Sequence, residues 1–385
     1  MNSTPPSARS NVAPFIVMDM MREANRAESR GERIIHMEVG QPSSPPPQRV
    51  IEAAEAALRS DRIGYTEAFG LPALRERIAR HYRDAYGLDI APERVVVTTG
   101  SSGAFVLGFL TAFDHGARVA LPVPGYPAYR NILSALGIEV VPIHTRAENR
   151  WTPTVEDLRQ AAHGGPLAGL LIASPANPTG TMIERDALAA LVGHCAETGA
   201  WLVSDEIYHR LTYGMDETCA LAVSDEAIVI NSFSKYYCMT GWRIGWMIVP
   251  PRLLRPIECL AQNLFISPPT LSQHAALAAF DATEELDRRR AQYAVNRELL
   301  LTELPGIGFE EFSPVDGAFY IYTNVSRFSN DSFDFAQKML REAGVAATPG
   351  ADFDDVDGAH YLRLSFAGST DEMQEAVTRL KRWLG

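Results

Sequence analysis

One pattern constrains the fold of this chain more than any other. From about residue 46, short apolar runs bounded by Gly, Pro or Asn alternate with amphipathic helical stretches, which is how a mostly parallel sheet with helical crossovers is written. Seven runs read as strands: Arg94 to Thr98, Arg118 to Leu121, Glu139 to His144, Ala168 to Ala173, Ala200 to Ser204, Ala227 to Asn231, and Gly245 to Val249. They predict an α/β fold with one large sheet of seven strands, flanked by helices. The texture changes after Pro268. A helical stretch from Pro269 to about Leu304 is followed by the strand GAFYIYT, the amphipathic SFDFAQKMLREAG, the strand YLRLSF and a last helix. These elements predict a second, smaller α+β domain. The N-terminal segment is too short to fold alone and is expected to pack on that domain, with QPSSPPPQ as an extended crossing. The expected division is 46–282 for the large domain, and 1–45 with 283–385 for the small one; 385 residues suffice for both.

Charge and composition remove several function classes. A net charge of −12 disfavours nucleic acid or an anionic membrane as partner, since both select basic surfaces. No apolar run reaches the 18 residues of a membrane span, and MNSTPPSARS lacks the basic start and apolar stretch of an export signal, so a cytoplasmic location is expected. The cysteines Cys195, Cys219, Cys238 and Cys259 have neither CxxC spacing nor the density of a disulfide framework, and no metal-ligand cluster is visible.

The chemistry gathers at strand ends. TTGSSG, SPANPTG, SDEIY and NSFSK each follow an apolar run, and open α/β sheets bind ligands beyond the carboxyl ends of their strands. Of 35 basic residues only three are lysines, Lys235, Lys338 and Lys381, and Lys235 alone sits at a strand end. Its flanks, Phe233, Tyr236, Tyr237 and Trp242, predict partial desolvation, which favours the neutral, nucleophilic amine. An isolated strand-end lysine is more often a solvated one. Asp205 closes the run AWLVS, where a carboxylate is costly without a partner, but it also suits a helix N-cap. Asn177, between two prolines, could simply organise a turn.

The combination is more specific than its parts. Asn177, Asp205 with Tyr208 three residues on, then Ser232, Lys235 and Arg243 occur in this order within SPANPTG, SDEIY and SxSKxxxxTGWRxG. This resembles the class I aminotransferases among the fold-type I enzymes that use pyridoxal 5′-phosphate, and the resemblance runs from VGQP to YLRLSFA. It implies that Lys235 holds the cofactor as a Schiff base and then acts as general base, while Asp205 pairs with the pyridine nitrogen. Tyr208 and Asn177 would bond the ring phenolate oxygen, and Tyr126 of PGYPAY would stack on the ring. Gly100, Ser101 and Ser102 would hold the phosphate at a helix start, completed by Ser232 and Arg243. This loop departs from the family's usual Lys- or Thr-bearing forms. Arg363 would clamp the substrate α-carboxylate, with Gly40 and Asn177 beside it. Tyr65 resembles the tyrosine that reaches the neighbouring subunit's phosphate, implying a homodimer with shared sites.

The segments brought to the substrate side chain are apolar: Phe15 to Met18, the helix GAFVLGFL, and Gly317 to Tyr320. They favour a neutral aliphatic or aromatic L-amino donor, with 2-oxoglutarate or pyruvate as acceptor, in a ping-pong reaction. A β-lyase, decarboxylase or synthase on the same fold would use the same cofactor residues, because the fold does not choose the bond broken. A non-catalytic cofactor-binding regulator would need a basic DNA-binding module, and residues 1–45 show no helix-turn-helix pattern.

Overall fold

A computed structural model describes residues 4–60 and 62–385. All seven expected strands form, in one sheet: β1 (Val95–Thr98), β2 (Arg118–Val123), β3 (Glu139–His144), β4 (Gly169–Ala173), β5 (Trp201–Asp205), β6 (Ile228–Ser232) and β7 (Gly245–Ile248). Their spatial order is β1-β7-β6-β5-β4-β2-β3. Only β7 is antiparallel to its neighbours, so the carboxyl ends of the other six and the start of β7 lie along one edge.

Period-two alternation explains why these runs are apolar almost throughout. Val95 and Val97 of β1 and Val229 of β6 pack into the core on one face, while Val96, Ile228 and Ile230 pack into the core on the other. Both faces are covered, as a parallel sheet requires. On the second face lie α2 (Gly100–Ala112) and α3 (Pro127–Ala135), through Phe105, Phe109, Tyr129 and Leu133. Asp205 stands two residues beyond Val203, which belongs to the same face as α3, so the pleat directs the carboxylate toward that helix.

Three further strands, β8 (Tyr320–Asn324), β9 (Thr348–Pro349) and β10 (Tyr361–Ser365), make an antiparallel sheet in the order β9-β10-β8. The N-terminal segment pairs with this part of the chain. After α1 (Ile16–Ser29), Ile35 and His36 pair in parallel with Val345 and Ala346.

The structure corrects two elements. The stretch from Pro269 to Leu304 is two helices, α4 (Thr270–Ala279) and α5 (Thr283–Glu303). The interruption falls at Phe280, which is buried against Phe233, Tyr237 and Trp246. No Gly or Pro marks the break. The amphipathic SFDFAQKMLREAG is helical only as α6 (Ser332–Lys338), capped by the Asp331 carboxylate, and then widens into a π turn over Met339–Ala343. The last helix, α7 (Thr370–Leu384), carries a capping box from Ser369 and Glu372.

Candidate active site

The polar clusters do converge. A cleft of about 240 Å³ opens at the carboxyl edge of the large sheet, beside β8 and β10, with Lys235 on its wall. The Lys235 Nζ donates to the Gly40 carbonyl at 2.6 Å. Burial and the nearby Arg363 lower its pKa to about 8, with Arg243 adding to the effect and Asp205 opposing it. The other two lysines sit on the surface in ion pairs, Lys338 with Asp334 at 2.7 Å and Lys381 with Glu303.

Asp205 caps no helix, because a turn follows β5 at once. Its Oδ1 accepts from the Ile207 N–H at 3.1 Å, and its Oδ2 accepts from the Tyr129 hydroxyl in a short bond. Burial raises the carboxyl to about 6, against the pull of both hydrogen bonds and Lys235. Sequence reasoning passed over Tyr129, although the spacing in PGYPAY carried a signal: Tyr129 stands one helical turn beyond Tyr126, so the two share a face. Their rings meet edge-on at 5.3 Å, and burial pushes the Tyr126 hydroxyl up to about 12.

Arg363 is 3% exposed and held on all sides. Its guanidinium donates to Asn177 Oδ1 at 2.8 Å, to Thr348 Oγ1 at 3.1 Å and to the Glu38 carbonyl. The rings of Tyr320 and Phe353 lie 4.4 and 4.8 Å from its central carbon. Its hydrogen bonds take three of its five N–H donors, and its buried Nε is among the two left without a partner. The bond to Asn177 also fixes the amide: with Oδ1 occupied, the Nδ2 donor is what Asn177 retains for a ligand. The Tyr208 hydroxyl meets that of Tyr320 at 2.6 Å, a second residue the motifs did not single out by itself.

At the opposite end, α2 begins at Gly100 with no side-chain cap from Thr99, leaving first-turn N–H groups free for an anion. Gly100 has φ +68°, and a Cβ there would stand 2.7 Å from the Arg243 guanidinium, so the position needs glycine on both counts. Arg243 donates to the Thr240 carbonyl at 3.1 Å and has no carboxylate partner among the described residues. Ser101, Ser102 and Arg243 line the cleft.

Not every expected residue arrives there. The hydroxyl of Ser232 is buried behind the wall, 2.9 Å from Ser234 Oγ and bonded to the Ile244 carbonyl, and Ser234 lines the cleft in its place. The strand ends at Ser232, and Ser234 stands in the turn that leads to the lysine. Tyr65 is 82% exposed and does not line the cleft of its own chain. Of the apolar segments, Phe15, Val17, Met18, Phe105 and Tyr320 contribute, while Ile16, Gly317, Ala318 and Phe319 do not. The rest of GAFVLGFL packs mainly under the sheet, as Phe109 does.

These residues fit pyridoxal phosphate. An uncapped helix start with a free arginine can take a dianion, a buried carboxylate with a fixed orientation can pair with a ring nitrogen, and a desolvated amine stands in the same cleft. Among the described residues no group of three or more His, Cys, Asp or Glu side chains could hold a metal, and no helix is long and apolar enough to cross a membrane.

Comparison with known proteins agrees. The family model described as aminotransferase class I and II matches residues 32–380. The chain is 48% identical to a valine–pyruvate aminotransferase of Mycobacterium tuberculosis, over 98% of this chain and 97% of that one. It superposes on the crystal structure of an aminotransferase from Mycobacterium tuberculosis with a TM-score of 0.97, at 47% identity over 99% of both chains. It superposes on Thermus thermophilus aspartate aminotransferase with a TM-score of 0.93, at 30% identity over 99% of this chain and 100% of that one.

Proposed function

This chain belongs to the class I and II aminotransferases, which use pyridoxal 5′-phosphate, and we propose that its donor is a neutral L-amino acid with an aliphatic or aromatic side chain. The acceptor in a ping-pong cycle is a 2-oxo acid without a second carboxylate, such as pyruvate; 2-oxoglutarate would bring a distal carboxylate to the same wall. The observation that carries this reading is the lining of the cleft. Its two arginines are Arg243 at the phosphate end and Arg363 at the carboxylate end, and the wall between Phe15, Val17, Met18 and Phe105 is apolar. A distal carboxylate placed there would lose water without gaining a cation. The name of the Mycobacterium tuberculosis relative, valine–pyruvate aminotransferase, points the same way.

When bound, the cofactor supplies an electron sink for negative charge at the substrate Cα. The chain does the rest. Arg363 would receive the α-carboxylate through N–H donors not taken by Asn177, Thr348 and Glu38, which already orient it. Asp205, kept in place by Tyr129 and the Ile207 N–H, would keep a ring nitrogen protonated. Lys235 would anchor the cofactor through its Nζ, and as a free amine it would take the Cα proton. Its pKa of about 8 leaves a useful fraction of neutral amine near pH 7 to 8. Asn177 and Tyr208 bond the ring oxygen.

Burying a leucine-sized side chain against that wall favours it over alanine by about 2 kcal/mol, or roughly thirtyfold. Measured kcat/KM should therefore rank leucine, valine and phenylalanine above alanine, and alanine above aspartate. Aspartate exceeding the neutral donors tenfold would overturn the reading.

The exposure of Tyr65, and of Ser102 and Arg243 at the phosphate end, supports a two-fold dimer in which Tyr65 completes the neighbouring site. Light scattering at micromolar concentration should return about twice the 42.3 kDa chain mass. A fully active monomer would exclude a composite site.

A further inference from the structure

The apolar wall belongs to the first turn of α1, and that turn is not held by its own sequence. Phe15, at the N-cap, offers no capping side chain. Instead, the carboxylate of Asp352, 336 residues away from Ile16, accepts from the Ile16 N–H at 3.0 Å and the Val17 N–H at 3.2 Å. Asp352 is 1% exposed. A buried carboxylate on two free N–H groups at a helix start is favoured by hydrogen bonding and by the helix dipole together.

Asp352 links the start of α1 to the surroundings of Arg363. It follows β9, whose Thr348 bonds Arg363, and precedes Phe353, whose ring packs on Arg363. Its own carbonyl accepts from Arg130 of α3 at 2.8 Å. That helix also reaches the N-terminal segment directly, through Asn131 Nδ2 to the Ala13 carbonyl at 3.1 Å. The Phe15 ring lies 5.8 Å from that of Tyr126. Residues 13 to 18 are thus pinned from the large sheet's helix and from the segment that carries the carboxylate clamp.

We propose that Asp352 is a positioning residue for donor size: by capping α1 from across the molecule it fixes Phe15, Val17 and Met18 at a set distance from Arg363. This rests on the reading of a neutral donor given above. A large side chain reaches the wall and depends on its being held, whereas the methyl of alanine gains little from it. Removing the carboxylate also strengthens the field of Arg363, but that acts on the α-carboxylate common to both donors and cancels in their ratio.

The test uses the holoenzyme, with kcat and KM measured for L-leucine and L-alanine. In Asp352→Ala the leucine-to-alanine ratio of kcat/KM should fall about tenfold, the size of a lost cap, and the loss should appear in the leucine KM more than in kcat. Asp352→Asn, which keeps one acceptor oxygen but turns an NH2 toward the other backbone N–H, should recover only part of the ratio. Amide exchange at Ile16 and Val17 should accelerate in Asp352→Ala. If that variant does not fold, Asn131→Ala should move the ratio in the same direction by a smaller factor. An equal loss for both donors, or unchanged exchange in the first turn of α1, overturns the proposal. Wild-type preference for aspartate would instead overturn the donor reading, while the variant-to-wild-type ratio still decides the role of Asp352.

Discussion

Lys235→Ala should yield a folded chain that holds no cofactor covalently and has lost activity by roughly 10⁴-fold, the upper range for removal of a general base. The fold should survive because the Nζ makes one hydrogen bond, to the Gly40 carbonyl, and carries no buried ion pair that its removal would leave unbalanced. Borohydride reduction of the wild type followed by peptide mapping should label Lys235. Labelling of Lys338 or Lys381 would refute the assignment. A pH dependence follows from the same environment. Burial and Arg363 lower the free amine to about 8, and only the neutral amine attacks, so covalent uptake of the cofactor by the stripped chain should accelerate as pH rises and level off above about 8. An ordinary lysine would show the plateau above 10. A rate independent of pH between 6 and 9 would contradict the role given to burial.

Asp205→Ala should slow Cα proton transfer by about 10²- to 10³-fold, the usual effect of losing one preorganised electrostatic partner of a developing charge. Substrate carboxylate binding should weaken far less, because that task falls to Arg363. Single-turnover kinetics with a Cα-deuterated donor separates the two. Tyr129→Phe provides a graded version: it removes the short bond to Asp205 Oδ2, one of two that oppose the rise of the carboxyl to about 6. The carboxyl should move further up, and its capacity to keep the ring nitrogen protonated should fall. An unchanged proton-transfer rate in Asp205→Ala would remove it from the mechanism.

The strands were legible because most are buried on two faces and so are apolar almost throughout, a signal that needs no tertiary information; the edge strand β3, with Glu139 and His144 exposed, was the weakest case. The motif residues were legible because each follows such a run directly. What escaped notice depended on distance in the chain. No local pattern around Asp352 indicates that it caps a helix 336 residues earlier, and nothing in NSFSK distinguishes the serine that faces the cleft from the one that faces the Ile244 carbonyl. Phe280 ends a helix because of the aromatic cluster it enters, although Ala279, Phe280 and Asp281 contain no breaker. Tyr65 was noticed through resemblance alone, and its 82% exposure in one chain fits a residue that serves another.

The scarcity of lysine has a practical side. Lys338, in α6, and Lys381, in α7, lie in neighbouring helices at the end of the chain, and both are half exposed, whereas Lys235 stands inside the cleft, where it would be held in the cofactor linkage. Amine-directed coupling chemistry therefore finds, apart from the amino terminus, two accessible handles in one region of the molecule. Attached to a resin or a sensor surface through them, the molecules would share a limited set of orientations instead of a random one. An arginine-rich, lysine-poor surface is in this sense already prepared for directed immobilisation, and a single Lys381→Arg change would narrow the attachment further to Lys338.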